Sequence, residues 1–199
     1  MVKVAIFGAK GGLAECLIKD CLIQGNFVDA ITREASIATN KLVELKEIYP
    51  NKLSIKSIEN SYSQFHFQTE YDIIILTQSI FEPKELIRKS DDEIDREIRV
   101  GFTEIIKITK NFLSKYPPKN SNLKNIAIIG SSSSYNGFAK TATYCAIKHG
   151  LVGFVRSLND EYKDTNYRFF LFSMGTMKTK MAEKIINQDP NTFLNPSDV

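Results

Sequence analysis

The sequence predicts an α/β fold in which one doubly wound parallel sheet is covered by helices on both faces, a three-layer α/β/α arrangement. Three observations lead there. Short apolar, β-branched runs alternate along the chain with stretches of helical periodicity, the mark of βαβ units and a parallel sheet. The first run passes straight into a glycine-rich loop and then a helical pattern. A chain of 199 residues with 43% hydrophobic content closes one sizeable core and leaves little for a second. A single domain over residues 1–199 is therefore expected.

The chain opens with Val2-Lys3-Val4-Ala5-Ile6-Phe7, continues through Gly8-Ala9-Lys10-Gly11-Gly12 and enters a helical pattern that ends at Gly25. That reads as strand, glycine loop, helix, the opening of a Rossmann-like domain. Further apolar runs follow at Phe27 to Ile31, Leu53 to Ile58, Asp72 to Thr77, Asn125 to Ile129 and Arg168 to Phe172. Pro50 closes the helix that holds Leu42, Leu45 and Ile48. Ser90 with Glu93 forms a capping-box signature, opening a long helix in which Ile94, Ile98, Phe102, Ile105 and Phe112 recur at helical spacing until Pro117-Pro118. Thr141 or Thr143 starts another, running through Leu151, Phe154, Val155 and Leu158. Phe169-Phe170-Leu171-Phe172 reads as a buried strand. Ser131 to Ser134 lies just past a strand, where a doubly wound sheet places its functional loops.

Charge and composition narrow the function. A formal net charge of +3 with 25% charged residues provides no strong basic field for nucleic acid. The longest apolar run, Asn125 to Gly130, is far below the roughly 20 residues that span a bilayer, and the Met1 end shows no signal-peptide core. A cytoplasmic protein with a small-molecule partner is expected. Cys16, Cys21 and Cys145 lack C-x-x-C spacing and have only His66 and His149 to join them, so no metal site is expected. Asp91-Asp92-Glu93 is explained by a helix N-terminus.

At the first turn, Gly8 permits a tight bend, Gly12 lets the backbone approach a pyrophosphate without a Cβ in the way, and Lys10 adds a cation. The second strand ends at Thr32-Arg33, where a NAD-preferring domain places an acidic residue for the ribose 2′-hydroxyl. Arg33 would instead pair with a 2′-phosphate, which favours NADP(H) over NAD(H). Further along, Tyr144 and Lys148 stand four residues apart on one helical face. A cation beside a phenol favours the phenolate and moves its pKa toward the working range, giving a proton donor for carbonyl reduction. Thirteen residues upstream of Tyr144, Ser131 follows a strand and can hydrogen-bond a substrate oxygen, with Ser132 as the close alternative.

Taken together, the serine after a strand, the Asn136-Gly137 turn, and Tyr144 with Lys148 opening the next helix resemble the short-chain dehydrogenase/reductase family. Gly8-Ala9-Lys10-Gly11-Gly12-Leu13-Ala14 is similar to its TGxxxGxG loop, Asp72-Ile73-Ile74-Ile75-Leu76-Thr77-Gln78-Ser79 to its DxLVNNAG stretch, and Phe172-Ser173-Met174-Gly175-Thr176-Met177-Lys178-Thr179 to its PGxxxT segment. The resemblance implies Tyr144 as general acid/base, Lys148 as binder of the nicotinamide ribose that tunes Tyr144, and Ser131 as the group that positions the carbonyl. It implies cofactor contacts at Gly8, Lys10, Gly11, Gly12, Leu13, Thr32, Arg33, Thr77, Gln78, Ser79, Tyr144, Lys148, Gly175 and Thr179, a carbonyl or alcohol substrate, and a homodimer or homotetramer. Departures are Phe7 and Ala14 in the loop, Met174 at the family's proline, and Gly101 where the family carries a relay asparagine. The chain stops at Asn195-Pro196-Ser197-Asp198-Val199, near where family members enter a last helix and strand, so a domain lacking these is expected. Two other readings share the residues. One is a non-catalytic, regulatory nucleotide-binding protein, motivated by Gly101, Ser79 and Met174. The other is a nucleotide-sugar epimerase or dehydratase, which would need a larger C-terminal substrate domain.

Overall fold

The computed structural model describes residues 1–33, 39–118, 122–185 and 188–198; of the expected 1–199 domain, Val199 thus lies outside the described residues. In chain order the elements are β1 (Lys3–Phe7), α1 (Gly12–Ile23), β2 (Phe27–Arg33), α2 (Asn40–Ile48), β3 (Leu53–Ile58), β4 (Ile73–Leu76), α3 (Asp91–Ile98), α4 (Glu104–Lys115), β5 (Lys124–Ile129), α5 (Ala142–Glu161) and β6 (Tyr167–Phe172). The six strands form one sheet in the order β3-β2-β1-β4-β5-β6, every neighbouring pair parallel. The order reverses between β1 and β4, and such a reversal leaves a crevice at the carboxyl ends of the strands.

The unbroken apolar runs follow from burial on both faces. In β1, Ala5 and Phe7 enter the core shared with β4, β5, α4 and α5, whereas Val4 and Ile6 enter the one shared with α1 and α2. Around Phe67, the rings of Tyr71, Phe112 and Tyr116 pack edge-on at centroid separations of 6.0, 5.1 and 6.4 Å.

The turn after β1 depends on Gly8, whose φ is +80°. Its N–H and that of Ala9 both donate to the Ile31 carbonyl, at 3.1 and 3.2 Å. A Cβ on Gly8 would stand 2.7 Å from Thr77 Oγ1 and 2.9 Å from the Gln78 backbone nitrogen. Adding the left-handed strain to that overlap, Gly8→Ala is expected to destabilise the fold by about 3 kcal/mol, read as a lower urea midpoint.

Three local expectations need correction. The long helix after Ser90 does carry its capping box, but a π-helical turn at Arg99–Thr103 separates α3 from α4. The wider turn rotates the buried face out of the simple helical phase. Glu97, not Ile98, is therefore the buried residue of α3, held by Lys89 Nζ at 2.5 Å, while Ile98 is exposed. Secondly, α5 starts at Thr141 as expected, but the Thr141 side chain does not cap it: its hydroxyl donates to the Phe138 carbonyl at 2.8 Å. Thirdly, the aromatic run of β6 is buried on one face only. Tyr167 and Phe169 are inside, whereas Phe170 and Phe172 are exposed, because β6 is the edge strand and side chains alternate between faces.

Candidate active site

A cavity of about 1230 Å³ runs along the carboxyl ends of the strands, larger than the ~300–1,000 Å³ usual for a single small ligand. At one end, the start of α1 opens on it. Gly11 precedes the helix, no side chain caps it, and Lys10, Gly11, Gly12, Leu13 and Ala14 all line the wall. A helix N-terminus without a capping side chain leaves first-turn N–H groups for an anion. Lys41 at the start of α2 and Lys180 in the loop after β6 line the same cavity, and Gly12 faces the methyl of Thr179, which a Cβ there would approach to 3.1 Å.

At the other end, Ser131, Tyr144 and Lys148 share the wall. The loop holding Ser131 is fixed by its own hydroxyls: Ser131 Oγ accepts from the Ser133 N–H at 3.1 Å, and Ser134 Oγ accepts from the Ser131 N–H at 3.1 Å. Tyr144 and Lys148 lie on the buried face of α5, with Lys148 Nζ 5.4 Å from the centre of the phenol ring. That ammonium donates to the carbonyl of Ile129, the last residue of β5, at 2.8 Å. Burial pushes its pKa down from 10.5 to about 8.

Tyr144 behaves differently from the sequence expectation. Burial, the largest influence, pushes its pKa above the usual value, and the neighbouring Ser131 and Ser79 hydroxyls only partly offset this. Lys148 sits over the ring and bonds to a backbone carbonyl, so the phenol stays protonated at neutral pH. Phe81 packs edge-on against Tyr144 at 4.9 Å.

Of the residues singled out in the sequence, Lys10, Gly11, Gly12, Leu13, Thr77, Ser79, Ser131, Tyr144, Lys148, Gly175 and Thr179 meet on this cavity. Gly8, Thr32, Arg33 and Gln78 do not. Gly8 shapes the turn behind the loop. Thr32 and Gln78 are turned into the protein, and Thr32 Oγ1 and both amide atoms of Gln78 lack hydrogen-bond partners. Arg33 lays its guanidinium over the Tyr62 ring, 5.6 Å from its centre. Gly101 lies in the π turn with Ile147 filling the space where a Cβ would stand, at 3.1 Å, and with Ser79 Oγ nearby at 3.9 Å. Phe81, Phe138, Lys140, Met181 and Lys184 also line the cavity, and nothing in the sequence pattern singled them out. A φ of 65° at Lys140 costs a non-glycine residue about 1–2 kcal/mol.

The family model for short chain dehydrogenases matches residues 3–190. The chain belongs to that family. As a short-chain dehydrogenase/reductase it is an oxidoreductase by family, of a kind that binds a nicotinamide cofactor. Among its relatives, nodulation protein G of Rhizobium sp. (strain N33) is 25% identical over 197 residues, covering 96% of this chain and 80% of that protein. A 3-oxoacyl-[acyl-carrier-protein] reductase of Buchnera aphidicola is 28% identical over 130 residues, covering 65% of this chain and 51% of that protein. In fold, this short-chain dehydrogenase is similar to the closed form of a serine dehydrogenase complexed with NADP+, at a TM-score of 0.82, 20% identity, and coverage of 98% of this chain and 85% of that one. Among the described residues no group of three or more His, Cys, Asp or Glu could hold a metal ion, and no helix is long and apolar enough to cross a membrane.

Proposed function

We propose that this protein is an NADP(H)-dependent oxidoreductase that interconverts a carbonyl compound and its alcohol, with Tyr144 as the general acid/base. The observation that carries the reading is the meeting of Ser131, Tyr144 and Lys148 on one wall of a cavity whose far end is an uncapped helix N-terminus among lysines. That end fits a pyrophosphate: backbone N–H groups of Gly12 and Leu13 with Lys10 would hold it. Lys148 would take the nicotinamide ribose, Thr77 and Ser79 would border it, and Gly175 and Thr179 would flank the nicotinamide. When bound, the nicotinamide supplies or accepts the hydride.

The chain's own residues handle the proton. Tyr144 Oη donates its proton to the carbonyl oxygen as the new C–H bond forms, and the burial that keeps the phenol protonated suits this direction. Ser131 Oγ accepts from the Ser133 N–H, and its hydroxyl, beside Tyr144, would donate to the same carbonyl oxygen when substrate is bound. After transfer, the neighbouring Ser131 and Ser79 hydroxyls would bond to the phenolate until solvent returns the proton.

Preference for NADP(H) rests on Lys10 and Lys41 at the nucleotide end and on the basic close of β2 at Arg33. Arg33 would leave the Tyr62 ring to pair with a 2′-phosphate. The test is steady-state reduction of a ketone panel with each cofactor. NADPH is expected to exceed NADH in kcat/KM by about tenfold or more, with the ratio falling several-fold in Lys10→Ala and Arg33→Ala. Equal use of both cofactors removes the preference. Tight NADPH binding without turnover on any ketone would favour the non-catalytic reading that Gly101 motivates. The same proposal includes a cytoplasmic homodimer or homotetramer, which light scattering checks.

A further inference from the structure

The charge on the cavity wall is one-sided. Among the described residues its lining includes six lysines, at positions 10, 41, 140, 148, 180 and 184, against one carboxylate, Glu15, which accepts from the Thr39 hydroxyl. Lys10, Lys41 and Lys180 belong to the nucleotide end, and Lys148 is committed beneath Tyr144. Lys140 and Lys184 remain.

Both flank the segment that carries Phe81. Lys184 Nζ donates to the Phe81 carbonyl at 3.3 Å, and the Lys140 carbonyl accepts from the Lys84 N–H at 2.8 Å. Carboxylates in this neighbourhood already have cations: Glu82 pairs with Arg96 at 2.6 Å, Glu93 with Lys84 at 2.8 Å and Glu85 with Arg88 at 3.0 Å. Among the described residues, neither Lys140 nor Lys184 is in an ion pair. The wall also carries apolar side chains: Phe81, packed on Tyr144, with Phe138, Met181 and Ile185. Phe138 and Met181 are 43% and 37% exposed, large apolar surface left open at a cavity. The backbone at Lys140 is left-handed, a conformation glycine takes most easily, and lysine occupies it nonetheless.

We propose that the substrate is an amphipathic carbonyl compound whose anionic group, a carboxylate or a phosphate, is held by Lys140 and Lys184. Its apolar body lies against Phe81 and Phe138, and its reacting carbon stands at Tyr144. This rests on the redox reading of Tyr144 above.

Two matched pairs of probes test it: 3-oxooctanoate against its ethyl ester for the carboxylate, and 3-oxooctanoyl phosphopantetheine against 3-oxooctanoyl pantetheine for the phosphate. With NADPH present, the charged member of at least one pair is expected to exceed its neutral partner by about tenfold in kcat/KM, mainly through KM, with an advantage that shrinks as salt rises. Which pair shows it identifies the anion. Lys140→Gly, which suits the left-handed backbone, is expected to cut the charged-to-neutral ratio about five- to tenfold, while Lys163→Gln, outside the cavity, leaves the ratio unchanged. Equal efficiency within both pairs, or a ratio untouched by Lys140→Gly, overturns anion recognition and leaves the redox reading standing. Absence of Tyr144-dependent turnover on all four probes overturns both.

Discussion

Replacing Tyr144 by Phe is expected to lower kcat for ketone reduction by about 10³-fold, with little change in the affinity for NADPH. The magnitude is that of a positioned proton donor in the transition state, and the split between kcat and binding is that of an interaction made only there. The substitution is well matched to the site. Phe preserves the edge-on contact with Phe81 at 4.9 Å and the face over which Lys148 Nζ lies, so packing on α5 survives. Only the Oη is lost, and with it a proton that burial keeps in place at neutral pH. Fluorescence titration with NADPH and single-turnover reduction separate the two effects. A variant that still reduces ketones within about threefold of the parent would assign the proton to another group, with Ser131 and Ser79 the neighbouring hydroxyls.

Some of this site was legible in the residues because local rules determine it. Gly8 announces a turn, and the left-handed φ found there is one that glycine takes most easily. Tyr144 and Lys148 share a face because any two helical residues four apart do. The parallel sheet was legible because strands buried on both faces must be apolar throughout. What stayed hidden depends on contacts distant in sequence. The sequence shows no sign that Arg33 rests on Tyr62, which the fold brings beside it. The buried face of α3 was misread at Ile98 because one π turn shifts the phase, and a pattern search assumes a constant period. Phe81, Phe138 and Met181 come from three separate loops with no shared spacing. Only the closing of the sheet's carboxyl edge sets them around one cavity.

The same burial that surrounds the proposed catalytic pair carries a stability cost, and Lys148→Met is expected to expose it. Lys148 is 2% exposed; among the described residues its ammonium has one hydrogen bond, to the Ile129 carbonyl at 2.8 Å, and no ion pair. Its pKa falls from 10.5 to about 8 on folding, equivalent to about 3 kcal/mol against the charged form. Below about pH 8 both folded and unfolded chains hold the proton, and the whole penalty is present. Between about pH 8 and pH 10.5 the folded protein has released the proton while the unfolded chain keeps it. Unfolding then takes up a proton, so the folded state gains stability as pH rises through this window. Lys148→Met carries no such charge. Its advantage over the parent in urea unfolding is therefore expected to shrink by about 2 kcal/mol between pH 7 and pH 9.5, other titrating groups cancelling in the difference. The orphaned Ile129 carbonyl offsets part of the gain at pH 7 by about 1 kcal/mol, but it does not titrate and leaves the pH trend intact. A difference between the two proteins that stays constant with pH would show the ammonium to be solvated in the folded state. The methionine variant should meanwhile lose ketone reduction by 10²-fold or more, because it has no ammonium to hold the nicotinamide ribose in place. In the parent, kcat/KM for reduction should fall as pH passes about 8, the point at which the free protein gives up this proton. A stabilised but inactive variant is the outcome that separates a lysine kept for chemistry from one kept for packing.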